Sequence, residues 1–302
     1  MSFGERFLRH PDLFPRRLGG ERPGRERVRI DLAGGPYVVG GLSAILAAEL
    51  DRRFAPLVSE AESHEVTDFE VFAVDASEFR PVATRDWEYR LDTQLDADAL
   101  SLAGLALMAR VSLHSGARAA LWTPAETGAD FLGPFENVLR VLVAYRLNAR
   151  GGVMLHSVGV VRDGRAFVFF GRSGAGKSTF AGLSARAGLE VLSDELNLIW
   201  PRGDGAVVES LPFAGDFGQH CKPRCEMPLG GMFRLHKGPP CGRQPLSRSA
   251  AVAALVSCSP TVNSDPSRVE SLLEVLGRLV GLVPPESLAF ELTANPWGML
   301  SE

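Results

Sequence analysis

The sequence has few lysines and few cysteines. Only three of its 302 residues are lysines, so arginine is its usual cation. Its four cysteines all lie in the last third of the chain, which is typical of reduced thiols in a cytosolic protein and not of a disulfide framework. No apolar run reaches the roughly 18 residues that cross a bilayer, and the N-terminus lacks the apolar core of a signal peptide. We therefore expect a cytoplasmic protein with no membrane partner.

An excess of positive charge is also missing. The formal net charge is −4, with 23% charged and 45% hydrophobic residues. This composition is typical of a soluble globular protein and gives no reason to expect nucleic acid as a partner. The length allows one large domain or two ordinary ones.

The first two stretches of the chain contain no cluster of residues that indicates chemistry. Residues 1–26 are rich in Arg, Pro and Gly and lack a clear period, which predicts a basic arm or loop. Such an arm is either a solvated tail or a holder for an acidic peptide. Residues 27–133 contain several alternating strand candidates and one helix that Ser43 caps. They predict a smaller mixed α+β domain with a mainly antiparallel sheet.

The third stretch, residues 134–302, begins with a helix. Pro134 is expected at the start of that helix, since proline suits the first helical position. Two strands joined by an Asp-Gly turn follow and predict a hairpin. Near the C-terminus, Ser267 and Glu270 have the spacing of a capping box before another amphipathic helix.

A glycine loop in this third stretch is the strongest signal of the sequence. GRSGAGKS, residues 171–178, matches G-x-x-x-x-G-K-[ST] at every fixed position, and it follows an apolar strand candidate and opens a helix. Glycines let successive backbone N–H groups surround a phosphate, and the helix dipole adds positive charge. Lys177 is expected to reach the outer phosphates, and the Ser178 hydroxyl can bind Mg²⁺. The expected phosphate contacts are Gly171, Ser173, Gly174, Ala175, Gly176, Lys177, Ser178 and Thr179.

An acidic pair follows this loop in the segment LEVLSDELN. Asp194 comes 17 residues after Lys177, which is enough for a helix and a return strand. A βαβ unit of this size would put the second strand next to the first, with its carboxyl end beside the loop. One carboxylate, Asp194 or Glu195, can then hold magnesium while the other accepts a proton from a hydroxyl. The alternative is that the pair forms a solvated strand end or a cap for the segment that follows.

A set of histidines and cysteines further along the chain has the residue types of a zinc site. It consists of His220, Cys221, Cys225, His236 and Cys241. Zinc ribbons use paired short Cys spacings, and only one short pair occurs here. Unligated thiols and surface imidazoles are therefore expected.

Three segments together, GRSGAGKST, VLSDE and the upstream LHSVGVV, resemble the C-terminal domain of HPr kinase/phosphorylase. The resemblance is closer to the HPr-kinase-related proteins of bacterial peptide-modification gene clusters, and it covers residues from about 134 to 200. Phosphoenolpyruvate carboxykinases share the loop and the acidic pair. The resemblance implies an α/β fold, with a P-loop kinase domain of the HPr kinase / phosphoenolpyruvate carboxykinase type preceded by the smaller mixed α+β domain.

The resemblance also implies a role for individual residues. The loop would bind ATP phosphates, and Asp194 would be the base toward a substrate hydroxyl. Glu195 stands where the family has a second Asp and would ligate Mg²⁺ together with Ser178. His156 matches a histidine near the transferred phosphate, although a lone histidine in an apolar strand is also consistent with a core residue. Asp216, within PFAGDFG, would approach the metal or substrate or serve as a turn carboxylate.

The expected function is that of an ATP-dependent kinase. It would transfer the γ-phosphate to a Ser or Thr hydroxyl of a peptide or small protein, such as a ribosomal peptide precursor. Two alternatives remain at this point: a P-loop ATPase or GTPase switch, and a nucleotide-bound scaffold that binds a leader peptide without kinase activity. The sequence does not determine the acceptor, the choice between ATP and GTP, phosphorylase activity or the oligomeric state.

Overall fold

The computed structural model describes residues 3–10, 21–79, 91–113, 116–124, 128–213, 215, 224–238, 241–291 and 296–300. The chain divides into two compact units, Met1–Arg146 and Leu147–Glu302, and each contains a large mixed sheet. The division falls inside the helix that also contains the sequence-based boundary at residue 134. Within the described ranges, no helix combines the length and the apolar character that a bilayer span requires.

The first unit is built on a sheet of eight strands in the order β3-β1-β2-β4-β8-β7-β6-β5. All neighbours are antiparallel except β2–β4 and β4–β8, so the expected mainly antiparallel sheet is confirmed. Its elements are α1 (Phe3–Arg9), β1 (Glu26–Ile30), β2 (Tyr37–Leu42), α2 (Ala44–Phe54), β3 (Val58–Glu60), β4 (Phe69–Ala73), β5 (Asp92–Leu95), β6 (Ala99–Gly104), β7 (Leu107–Ser112) and β8 (Arg118–Thr123), followed by α3 (Gly128–Ala149).

One helix of this unit confirms its sequence-based prediction, and another replaces a predicted arm or loop. Ser43 caps α2 as expected, because its side chain accepts a hydrogen bond from the Leu46 N–H. Residues 3–9, expected to belong to an arm or loop, form the helix α1 instead. Phe7 in α1 is fully buried, and its ring lies edge-on to Trp122 at 6.0 Å. One aromatic side chain among arginines is enough to hold this segment on the sheet, since it removes a large apolar area from water.

The expected start of α3 at Pro134 is wrong, because the helix begins at Gly128 and contains the proline. A proline at this position removes one backbone hydrogen bond of the helix. Phe131 and Phe135 on either side of it are fully buried, with ring centroids 5.4 Å apart. Phe135 also contacts the ring of Phe69 at 4.8 Å, so tertiary packing holds the helix across the missing bond.

The second unit contains a sheet whose order is β10-β9-β12-β13-β14-β16-β15, with β11 also paired to β9 and β10 also paired to β14. Its elements are β9 (Val153–Arg162), β10 (Arg165–Phe170), α4 (Lys177–Arg186), β11 (Glu190–Ser193), β12 (Leu196–Arg202), β13 (Gly205–Ser210), β14 (Glu226–Lys237), β15 (Gly242–Pro245), α5 (Arg248–Ser257), α6 (Val269–Leu282) and β16 (Glu286–Phe290). The expected hairpin is confirmed: β9 and β10 are antiparallel, and Asp163 and Gly164 between them both have positive φ.

The capping box expected before α6 does not form. Ser267 donates its hydroxyl to Asp265 at 2.7 Å, and the helix starts two residues later at Val269. Asp265 is almost fully buried, and its Oδ1 accepts from both the N–H and the hydroxyl of Ser267. Ser267 is thereby bound to the preceding turn and does not cap the helix.

Arg146, near the end of α3, connects three separate parts of the first unit. Its guanidinium donates to the backbone oxygens of Gly116, Ala117 and Pro36 and forms an ion pair with Asp68. The Arg146 side chain is only 8% exposed. Its guanidinium and the oxygens around it therefore satisfy each other's hydrogen bonds in place of water.

Replacing this arginine should destabilise the protein strongly. Arg146→Ala removes the ion-pair partner of the half-buried Asp68 and the donor to several backbone carbonyls, and we expect the free energy of unfolding to fall by about 3 kcal/mol. Arg52→Ala, which removes an exposed arginine paired with Glu49, should change it by less than about 0.5 kcal/mol. Urea denaturation followed by circular dichroism measures both, and equal small losses would contradict the structural role of Arg146.

Candidate functional site

The glycine loop joins the end of β10 to the start of α4 in an open, tightly turned form. Gly174 and Gly176 have φ of 78° and 100°, a region that favours glycine. Gly176 is the N-cap of α4, and its carbonyl accepts the first helical hydrogen bond, from the Phe180 N–H at 2.8 Å. A Cβ built on Gly174 would meet no heavy atom of the described residues within 4 Å. The space on the Cβ side of Gly174 is therefore open among the described residues. The N–H groups of such a tight glycine turn before a helix are of the kind that surround an anion.

Lys177 extends back over this loop. Its ammonium donates to the carbonyl oxygens of Gly171 at 3.0 Å and Arg172 at 3.4 Å. The side chain is only 8% exposed, and this burial lowers its pKa, with the nearby Cys258 thiol acting in the opposite direction. Burial disfavours the charged form of this ammonium, and the oxyanions of a bound polyphosphate would stabilise that form.

Aromatic packing fixes the start of α4 over the end of β10. Phe180 in the first turn of α4 is fully buried, with its ring 4.0 Å from that of Phe169 in β10 and 5.4 Å from that of Phe290 in β16. The loop hydroxyl of Ser178 is on the exposed side of the same helical turn. The helix N-terminus and its free N–H groups are thereby directed to the edge where β10 ends.

The acidic pair lies at the level of the loop, but not on a neighbouring strand. The expected adjacency of the two strands of the βαβ unit is wrong, because β9 lies between β10 and β11 and is antiparallel to both. The hairpin formed by β9 and β10 takes the position that a parallel neighbour would occupy. β10 and β11 remain parallel, so their carboxyl ends point to the same edge, two strand spacings or about 10 Å apart.

The two acids occupy an interruption of the strand pairing, not a strand end. β11 and β12 both pair with β9, and Asp194 and Glu195 form the irregular link between them. The Ser193 hydroxyl accepts hydrogen bonds from the backbone N–H groups of Glu195 and Leu196, at 3.2 and 3.1 Å. The Glu195 carbonyl accepts one from the Ser157 N–H of β9. The bend that carries the acids is therefore held at both sides.

Asp194 is buried and Glu195 is half-buried, so the pair is not the solvated strand end that was one alternative interpretation.

A fully buried asparagine, Asn197, supports the backbone beside the acids. The side-chain amide of Asn197 donates to the carbonyl and the hydroxyl of Ser157, at 2.9 and 3.1 Å. Ser193, Ser157 and Asn197 were not identified from the sequence, because no local pattern tells a bend-holding hydroxyl from an ordinary strand serine.

His156 lies in β9 between the loop and the acids. Ser157, the next residue, pairs with Phe170, the last residue of β10, so His156 is one position closer to the site edge. Its side chain is exposed, which rules out the alternative of a core histidine. Its backbone N–H donates to the Cys258 carbonyl at 2.7 Å and so connects β9 to the end of α5.

Gly215 approaches the carboxylate of Asp194 more closely than any other residue type could. A Cβ built on it would lie 2.1 Å from Oδ1 and 2.7 Å from Cγ of Asp194. Asp216, the candidate next to it, lies outside the described residues. The sequence motif PFAGDFG thus contributes a glycine that packs on the acid, which the motif alone did not reveal.

The histidine and cysteine candidates do not assemble in the described part of the chain. Cys225 and Cys241 are exposed free thiols, while His220 and Cys221 lie outside the described residues. Burial, with a contribution from Arg234, lowers the pKa of His236. Over the described residues, no group of three or more His, Cys, Asp or Glu side chains is arranged to hold a metal ion.

Adding one methyl group at Gly215 should disturb Asp194. Gly215→Ala places a carbon well inside the van der Waals contact distance of the carboxylate, so the acid must move, and we expect a loss of about 1–3 kcal/mol in the free energy of unfolding. Gly205→Ala is the matched control, because a Cβ there meets nothing within 4 Å, and it should change stability by less than about 0.5 kcal/mol. Urea denaturation of both variants tests this, and an unperturbed Gly215→Ala protein would contradict the close approach.

Comparison with known families gives one match across this site. The sequence model of the family described as SynChlorMet cassette protein ScmC matches residues 135–272, which include the loop, the acidic pair and His156. No curated protein matches the chain. Over that stretch, the chain is similar to this cassette protein family.

Proposed function

We propose that the protein is an ATP-dependent kinase of the HPr kinase type, with a P-loop kinase domain in its second unit. It transfers the γ-phosphate to a Ser or Thr hydroxyl of a peptide or small protein. The observation that carries this proposal is the arrangement of an open glycine loop and a buried lysine at the same sheet edge as a buried acid. Similarity to a cassette protein family supports a peptide precursor as the acceptor.

The loop residues have a defined task in this proposal. Backbone N–H groups at the start of α4 bind the phosphate oxygens, and Lys177 exchanges its two carbonyl partners for outer phosphate oxygens. Mg²⁺, when bound, neutralises the charge on the transferring phosphoryl group. The Ser178 hydroxyl would hold this ion at the loop, and the Glu195 carboxylate, across β9, would be a second donor. Both are hard oxygen donors of the kind that Mg²⁺ prefers, so the donor types fit it.

Asp194 is the proposed base toward the incoming hydroxyl. Because β9 separates it from the loop by about 10 Å, the polyphosphate has to extend across the end of β9 to reach it. That path passes the exposed His156, which supports a role for this histidine beside the transferred phosphate. Ser193 and Gly215 keep the carboxylate in place, and correct placement supplies much of the catalysis in phosphoryl transfer.

Two other functions would use the same loop. An ATPase or GTPase switch would release ADP or GDP without a phosphorylated product. A nucleotide-bound scaffold would bind a leader peptide and would not depend on Asp194. The buried and positioned carboxylate favours the kinase, since transfer to a hydroxyl acceptor requires a base held within reach of that hydroxyl.

The decisive experiment combines ATP labelled in its γ-phosphate with short peptides encoded beside the gene. A kinase produces a labelled Ser or Thr, which mass spectrometry locates. Nucleotide release without a labelled peptide supports the switch, and peptide binding without nucleotide turnover supports the scaffold.

Asp194→Asn should reduce the rate of phosphotransfer by about a hundredfold or more while ATP still binds, because the amide cannot accept the proton. Asp204→Asn, a change of the same kind at an exposed turn, should leave the rate within about twofold. Initial rates and ATP titrations of both variants check this. If Asp194→Asn retains the full rate, Asp194 is not the base.

A further inference from the structure

A second lysine lies against the glycine loop from a different strand. β14 runs parallel to β10, with Arg234 paired to Phe170, so its last residues continue beside the loop after β10 has ended. A Cβ built on Gly176 would lie 2.9 Å from Cε of Lys237, the last residue of β14. The ammonium is one bond beyond Cε, so the end of this side chain reaches the N-terminus of α4.

The backbone at Lys237 is held in this position by its neighbours. Lys237 pairs with Phe290 of β16, and the Phe290 ring would lie 2.8 Å from the same Cβ of Gly176. The Gly238 N–H donates to the Phe290 carbonyl and fixes the chain directly after the lysine. Gly176 is therefore required for two reasons, its positive φ and the close approach of these two side chains.

The charge of this lysine is available to a ligand. Lys237 is exposed and makes no ion pair with any of the residues that the structure describes. Strand alternation puts Arg234 and His236 on the opposite face of β14, so neither competes for the same anion. Of the chain's three lysines, two border this one loop, in a protein that otherwise uses arginine.

We infer that Lys237 is a second cationic contact for the polyphosphate of the bound nucleotide, in addition to Lys177. This inference rests on the proposed nucleotide site and adds a residue outside the phosphate-loop motif. A compact ammonium suits this position, because the close approach to Gly176 leaves little room for a planar guanidinium. The contact is with phosphate oxygens, so it does not depend on the nucleoside.

The test compares two variants that remove one positive charge each. Lys237→Met keeps the length of the stem and loses the ammonium. Arg186→Met loses an exposed cation at the far end of α4, roughly 15 Å along the helix from the loop. Titration calorimetry with ATP and with inorganic triphosphate measures the dissociation constants, and thermal melting checks that both variants are folded.

We expect Lys237→Met to weaken the binding of both probes about fivefold to tenfold relative to Arg186→Met. Equal affinities of the two variants, with normal ATP binding by the unmodified protein, would overturn the role of Lys237 and leave the proposed function intact. Weakening for ATP alone would place Lys237 at the nucleoside and also contradict the inference. If the unmodified protein binds neither probe, the proposed nucleotide site and this inference are both wrong.

Discussion

The insertion of Phe180 between Phe169 and Phe290 is the packing interaction on which the candidate site depends. It holds the first turn of α4 over the ends of β10 and β16, with ring centroids 4.0 and 5.4 Å apart. The free N–H groups of that turn have a fixed direction only because the turn cannot slide on the sheet. The same contact brings Phe290 and Lys237 to the backbone of Gly176. The packing of Phe180 on the sheet thus determines where the N-terminus of α4 and the Lys237 side chain lie.

The rest of the site is organised by β9, which belongs to the hairpin before the loop. It carries His156 on its exposed side and supplies Ser157 to the bend that holds the acids. It also separates Lys177 from Asp194 by two strand spacings. A phosphoryl group that reaches the acid must therefore cross the end of β9, so the hairpin sets the distance over which the proposed chemistry takes place.

The similarity to the cassette protein family extends from residue 135 to residue 272 and therefore lies mainly in the second unit. The first unit has its own core, in which Arg146 joins the Gly116–Ala117 turn to Asp68.

The conformation of the loop could be predicted from the sequence because it depends on consecutive residues. Glycines at 171, 174 and 176 and the lysine after them act through local backbone geometry, so their spacing alone indicates a phosphate site. The hairpin turn and the Ser43 cap were predictable for the same reason. In contrast, only the tertiary structure places β9 between β10 and β11, Gly215 on Asp194, and Lys237 beside Gly176. These contacts join residues that are far apart in the chain and are determined by how the sheet packs. No local pattern of side chains indicates them.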